Sequence, residues 1–250
     1  MSKLHNFATL LSLFKQHTYI DVEMVKTELQ LSTASAYRYL ADFEAIGLLE
    51  KKTPSNYILG PLVIELDRNI RANDPLIQSA HNLMKGLADV YQNAVIVLSR
   101  LYGDDKVLCV HQVQGVKCDL NISYERGKSM AIFKGATSKS ILAWLEPERI
   151  KEIFLQNKSE ILNLKHSQNY SAFEKSLLEI RKNKVCITYS ELDEQVYGIA
   201  SPIFFKNKSI GSLSIVIPDQ NMEQLNLKKI GDKVYRSSLQ IEAKMEVAEM

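Results

Sequence analysis

An α+β fold in two parts is what this sequence predicts: a winged helix-turn-helix at the N-terminus, then a larger part built on one antiparallel sheet. Three observations predict it. Residues 22–62 run through two stretches of helical apolar spacing and then two short β-like runs around a polar turn. Residues 61–74 open with Pro, carry one apolar stripe and break at Asn73-Asp74-Pro75. Residues 75–250 read helix, strands, helices, strands, helix, which is the order of an α+β domain rather than of alternating βαβ units.

Composition sets the bounds. A chain of 250 residues with 46% apolar and 24% charged residues holds one large or two modest domains with ordinary cores. The net charge of +2 is too mild to announce a nucleic-acid binder, and within residues 1–60 six cations face six acids. That balance counts against strong non-specific affinity for DNA, which scales with the phosphates neutralised. Cys109, Cys118 and Cys186 are an odd number without a CxxC pair, which fits a reduced, cytoplasmic compartment. The N-terminal apolar run is interrupted by Ser12 and Lys15 and lacks a small-residue cleavage site, so it reads as a first helix and not as a signal peptide. No segment reaches membrane-spanning length, and no membrane partner is expected.

In residues 1–60, a helix over Val22–Leu29 leads through Leu31 to a second helix with Ser32 as N-cap. With Ala36 facing the core, Leu40, Phe43 and Gly47 share its side, while Ala34, Tyr37, Arg38 and Ala41 face outward. That outward face is small and polar apart from one Tyr and one Arg, as close approach to a DNA major groove requires. Gly47 stops the helix. Leu48–Glu50 and Tyr57–Leu59 read as two strands, and the turn between them carries Lys51 and Lys52, placed for phosphates. The DNA contacts expected are therefore Thr33, Ala34, Ser35, Tyr37 and Arg38 on the helix with Lys51 and Lys52 on the wing. A helical protein-docking module is the plainer alternative.

Residues 61–74 are expected as a linker helix, with Leu62, Val63, Leu66 and Ile70 as its stripe. One recognition helix reads only a few base pairs, so a homodimer or tetramer is expected. The linker stripe and Leu4, Phe7, Leu10, Leu11 and Phe14 of the first helix offer apolar surface for it.

In residues 75–250, a helix from Pro75 to Tyr91 precedes strands at 94–102, 106–113 and 118–124. Helices follow at 136–145, 147–156 and 171–183. Strands return at 185–190, 196–205 and 210–217, with a turn at Lys206-Asn207-Lys208, and a helix closes the chain from about Met222 to Val247. The Gly135-Ala136 entry to a helix offers free N–H groups and the positive end of its dipole, an anion site in principle.

Several of these motifs together resemble the IclR family of bacterial transcriptional regulators. Ser32-Thr33-Ala34-Ser35-Ala36-Tyr37-Arg38-Tyr39-Leu40 is similar to its recognition helix, and Tyr57-Ile58-Leu59-Gly60 to the close of its wing. Phe133–Ser140 resembles its effector loop, and Val196–Ile203 and Ser212–Pro218 its last strands. The resemblance implies a GAF-like, PAS-like effector domain and, as partners, operator DNA and a small-molecule effector, a carboxylate. It places the effector at Gly135, Ala136, Thr188, Gly198, Ser214 and Val216. Of the family's polar partners around these strands, Ser214 alone is kept. Thr188 stands for an Asp, Gly198 for a Cys and Val216 for a second Ser, and Gln195 for a usual Gly. A larger, more apolar pocket is expected, suited to an aromatic or longer acid rather than a small keto acid.

Catalytic readings find little. GxSxG, HExxH and Gly-rich nucleotide loops are absent from the sequence, so no catalytic residue, cofactor or metal is expected and the chain reads as no enzyme. Cys109 and His111 would share one strand face; Glu191, Asp193 and Glu194 read as a loop rim. Tyr189, Tyr197, Phe204 and Phe205 read as sheet core with a pocket lining as the alternative. His5, His17, His81 and His166 have no ligand-spaced partners. The rival function is a small-molecule enzyme or sensor using the C-terminal cavity, with the N-terminal part as a protein-interaction module.

Overall fold

A computed structural model describes residues 3–103, 105–164, 167–220 and 226–248. The chain divides into two compact units, one ending at Asn73 and the other beginning at Asp74.

The first unit holds α1 (Lys3–Leu13), β1 (Ile20–Asp21), α2 (Val22–Leu29), α3 (Thr33–Ala45), β2 (Leu49–Lys51), β3 (Asn56–Leu59) and α4 (Pro61–Asn73). Asp21 caps α2 by accepting from the Met24 amide at 2.8 Å, and Ser32 caps α3 by accepting from the Ser35 amide at 3.2 Å. α3 ends at Gly47, whose φ of +74° turns the chain while the Leu48 amide donates back to the Phe43 carbonyl at 3.0 Å. The hairpin β2–β3 gains a third strand, β1, which the sequence reading lacked because it is two residues long. Leu10, Ile20, Val25, Ala36, Leu40, Leu49 and Tyr57 form the core. This corrects the surface role expected of Leu10, which is fully buried; Phe7 likewise stacks on Phe43 at 5.4 Å between ring centres. No residue of α4 is buried within this unit, and Ile64, Leu66 and Ile70 are more than half exposed.

The second unit holds α5 (Pro75–Val90), β4 (Val95–Tyr102), β5 (Lys106–Gln114), β6 (Ser129–Ala131), α6 (Gly135–Leu142), α7 (Pro147–Gln156), α8 (Lys158–Leu162), α9 (Tyr170–Asn183), β7 (Cys186–Tyr189), β8 (Val196–Phe205), β9 (Lys208–Pro218) and α10 (Leu227–Ala248). The expected start of the closing helix at Met222 lies outside the described residues, as do Asp104 and His166. The strands make one antiparallel sheet in the order β6-β5-β4-β9-β8-β7. Lys206 and Asn207, both at positive φ, make the tight two-residue turn from β8 to β9. α5 and α10 cover one face over Ile96, Leu98, Ile199, Ile203, Leu213 and Ile215. α6, α7 and α9 cover the other over Val95, Val97, Cys109, Cys186 and Ala200. Burial on both faces is why residues 94–98 are apolar without alternation.

Two expectations fail here for local reasons. Residues 118–124 form no strand, although Ile122 and Tyr124 are buried as alternation demands. The Ser123 amide donates to the Asp193 carboxylate instead of to a neighbouring strand, and the edge strand is β6. Cys109 and His111 do not share a face. A bulge at Val110 pairs His111 with Leu98 but Cys109 with Ser99, so Cys109 joins the core that also holds Val95, Val97 and Ala200 while His111 meets His81 of α5, nitrogen to nitrogen, at 3.0 Å.

Candidate functional site

In the first unit, Thr33, Ala34, Tyr37, Arg38 and Ala41 are exposed along one side of α3, and Ala36 and Leu40 are buried on the other. Ser35 is half-buried, and its hydroxyl accepts from that of Ser32 at 3.0 Å, so it serves the cap as well as the face. Lys51 and Lys52 are exposed at the hairpin tip, with Lys51 Nζ 5.8 Å above the Tyr57 ring. The wing turn is held by the Lys52 amide on the Asn56 carbonyl at 2.9 Å and the Asn56 amide on Thr53 Oγ1 at 3.1 Å. A small-residue helix face and a basic hairpin tip therefore stand in one compact unit, each held by its own caps and turn bonds.

In the second unit, register decides which side chains meet. Thr188 of β7 pairs with Gly198 of β8, Gly198 with Val216 of β9, and Ala200 with Ser214. All face the side covered by α6, which packs against β7, β8 and β9. α6 is buried along its whole length, and its N-cap, Lys134, makes no side-chain capping bond. The first amides of this helix therefore have no acceptor within their own turn. Gly135 has a φ of +79°, and Gly198 lies so close to α6 that an added Cβ would stand 3.2 Å from Ala136 Cβ and 3.1 Å from Thr188 Oγ1.

Gly135, Ala136, Thr188, Gly198 and Val216 line one cavity, together with Tyr124, Thr137, Glu191 and Leu192. Ser214 does not. Its hydroxyl lies one layer back, accepting from Thr137 Oγ1 at 2.9 Å, and Thr137 is the residue that lines the cavity. The space left open among these residues is small. The cavity measures about 30 Å³, the share of about one water molecule and far below the roughly 300–1,000 Å³ of a small-molecule pocket. Ala136 and Thr188 fill the space that Gly198 leaves, and Leu192 lies over Gly135.

Glu191 is the residue the sequence reading placed on a solvated rim. Its Oε1 accepts from the Gly135 amide at 3.1 Å, and it pairs with Lys139 Nζ at 2.7 Å. The two side chains are only 13% and 11% exposed, so each charge depends on the other. The signal for Lys139 is a lone cation within the small and apolar helix GATSKSIL. Glu191 had no local signal, because its partners are 52 and 56 residues away. A wider cleft of about 1010 Å³ borders Lys139, Thr188 and Glu191 from the side of α9, β7 and α10. Of the aromatic residues considered for a lining, Tyr189 borders that cleft and packs at a tilt against Tyr197, 4.5 Å between ring centres.

Two further groups lie beneath. Tyr124 Oη and Ser99 Oγ sit side by side, both buried and without a well-formed hydrogen bond among the described residues. Burial raises the Tyr124 phenol, and the Ser99 hydroxyl draws it partly back. Burial pushes the thiols of Cys109 and Cys186 up to about 12, which keeps both as inert apolar groups. Among the described residues, no group of three or more His, Cys, Asp or Glu is placed to hold a metal ion.

Residues 70–243 match the family model for the C-terminal part of the bacterial transcriptional regulator IclR. This chain belongs to the IclR family. KipR of Bacillus subtilis, an HTH-type transcriptional regulator, is 23% identical over 240 residues, covering 94% of each chain. An IclR homologue from Microbacterium hydrocarbonoxydans, solved in complex with 4-hydroxybenzoate, superposes with a TM-score of 0.81 at 18% identity, covering 98% of this chain and 100% of that one. The Thermotoga maritima IclR superposes with a TM-score of 0.69 at 20% identity, covering 96% and 97%. The relatives are regulators of transcription, and the IclR architecture of a helix-turn-helix followed by a mixed helix and antiparallel-sheet domain is the one seen here. No helix among the described residues is long and apolar enough to cross a membrane.

Proposed function

We propose that this IclR-family protein is a cytoplasmic, homo-oligomeric transcriptional regulator, not an enzyme, whose operator affinity responds to an organic acid with an apolar body. Thr33, Ala34, Ser35, Tyr37 and Arg38 read the major groove, and Lys51 and Lys52 meet phosphates. The effector carboxylate takes the start of α6 at Gly135 and Ala136. Thr188, Gly198 and Val216 flank it, and Ser214 holds Thr137 in place from behind.

The observation that carries this reading is the start of α6, where the Gly135 amide already holds a carboxylate, that of Glu191, beside a cavity walled by Ile122, Val196 and Val216. An anion is favoured there by the helix dipole and by backbone N–H groups that no carbonyl of the same helix can take. Val216, Val196 and Ile122 give the cavity an apolar wall, which favours an acid with an apolar body over pyruvate or glyoxylate. The complex of the Microbacterium relative with 4-hydroxybenzoate supports the same class.

Fluorescence anisotropy on the protein's own promoter DNA tests both halves. Operator binding that weakens with salt and changes on adding 4-hydroxybenzoate is expected. Arg38→Ala should cost on the order of 1–3 kcal/mol if it pairs with a guanine. A folded Arg38→Ala protein with full affinity overturns its role, and tighter binding of pyruvate than of 4-hydroxybenzoate overturns the effector class.

A further inference from the structure

We propose that the 190–195 loop is a built-in occupant of the effector site: Glu191 and Leu192 hold the places of an effector's carboxylate and apolar body, and the effector binds by displacing them. This rests on the effector reading above and adds its regulation.

The juxtaposition is chemical as well as steric. The Glu191 carboxylate accepts from the Gly135 amide at 3.1 Å and pairs with Lys139 at 2.7 Å, the two strongest attractions the site offers to an anion. The next residue, Leu192, brings its Cδ1 within 2.6 Å of where a Gly135 Cβ would stand, so its side chain lies against the bare backbone of Gly135. An acid head followed by an apolar body is the ligand class argued for this pocket, here supplied by the chain itself. The cavity of about 30 Å³ is what remains beside that occupant.

The loop is built as a separate piece. Ser190 and Gln195 bracket it at φ of +49° and +56°, conformations that cost energy in residues other than glycine. The Ser190 amide donates to the Val196 carbonyl at 2.9 Å, and the Gln195 amide donates to Ser190 Oγ at 2.8 Å, closing the base of the loop. Its tip is tied outward, where Asp193 accepts from the Ser123 amide at 3.0 Å and from the Ser123 hydroxyl. Glu191 also borders the cleft of about 1010 Å³, which gives its side chain somewhere to go when it leaves.

Exchange conserves charge. One carboxylate leaves Lys139 and one arrives, so the buried ammonium is never left alone, which would be costly. The apparent affinity of an effector is lowered by the fraction of molecules whose loop is already displaced. Removing the internal acid therefore raises affinity, whereas a merely structural cap would lower stability and leave affinity unchanged or weaker.

The test is titration calorimetry with 4-hydroxybenzoate and its neutral amide on the full chain, comparing wild type, Glu191→Gln and Leu192→Ala, with melting temperatures taken alongside. Glu191→Gln is expected to bind the carboxylate at least tenfold more tightly, with little gain for the amide, and Leu192→Ala to bind it severalfold more tightly. Leu192→Ala keeps the test open should Glu191→Gln fail to fold. Carboxylate binding by a variant where wild type shows none also supports the inference. Binding by wild type that neither variant tightens overturns the built-in occupant and leaves the effector reading standing. If no form binds any carboxylate, aromatic or small, both fall.

Discussion

Gly135 joins three demands at one backbone position: a left-handed φ of +79°, an amide that caps a carboxylate, and bare surface against which Leu192 packs. Any side chain here is strained and meets Leu192, so Gly135→Leu should abolish the response to 4-hydroxybenzoate. Effector response in the folded variant would show that this helix start is not the anion site. The cysteines give an independent check on the sheet. Cys109 and Cys186 are buried with thiols at about 12, while Cys118 is partly exposed. Since the thiolate is the reactive form, iodoacetamide at neutral pH should label Cys118 alone in the native protein and all three in denaturant. Fast native labelling of Cys186 would mean that the face under α6 is open.

At the scale of elements, local chemistry was legible and distant pairing was not. α3 could be read to within a residue because Ser32 and Gly47 are caps whose partners lie within the same turn. β8 and β9 could be read because two largely apolar runs are joined by a turn at Lys206-Asn207. Residues 118–124 alternate like a strand, but the hydrogen bond of Ser123 goes to a side chain 70 residues away. The candidate site divides in the same way. The start of α6 carries a sequence signal in its Gly-led entry. Glu191, Leu192 and the retreat of Ser214 behind Thr137 are consequences of packing that no local pattern encodes. The wing belongs to the legible part. Its two lysines should act as phosphate contacts, so Lys51→Ala with Lys52→Ala should flatten the slope of log affinity against log salt by about 0.9 per lost phosphate contact. Sequence preference should hardly change. An unaltered slope would say that the hairpin tip faces away from DNA.

For the whole molecule, charge and coupling set what to expect. The unit ending at Asn73 carries eight Lys and Arg against eight Asp and Glu, so net charge gives it no pull on DNA, and the proposed contacts of Arg38, Lys51 and Lys52 would have to supply it. Non-specific affinity should therefore be modest, and regulation can work on a small free-energy margin. The effector acts on one compact unit and DNA on the other, so the response is a coupling free energy between two sites, typically about 1–3 kcal/mol. Such coupling is reciprocal. Whatever factor 4-hydroxybenzoate applies to operator affinity, saturating operator must apply to the affinity for 4-hydroxybenzoate. Both factors can be read from anisotropy and calorimetry on the same preparation, and they should agree within error. A Glu191→Gln protein, with its internal acid gone, should then show DNA affinity in the absence of effector shifted part-way towards that of the effector-bound wild type. If its DNA affinity instead matches that of ligand-free wild type while 4-hydroxybenzoate still shifts both, displacement of the loop is not the event that reaches the DNA-binding unit.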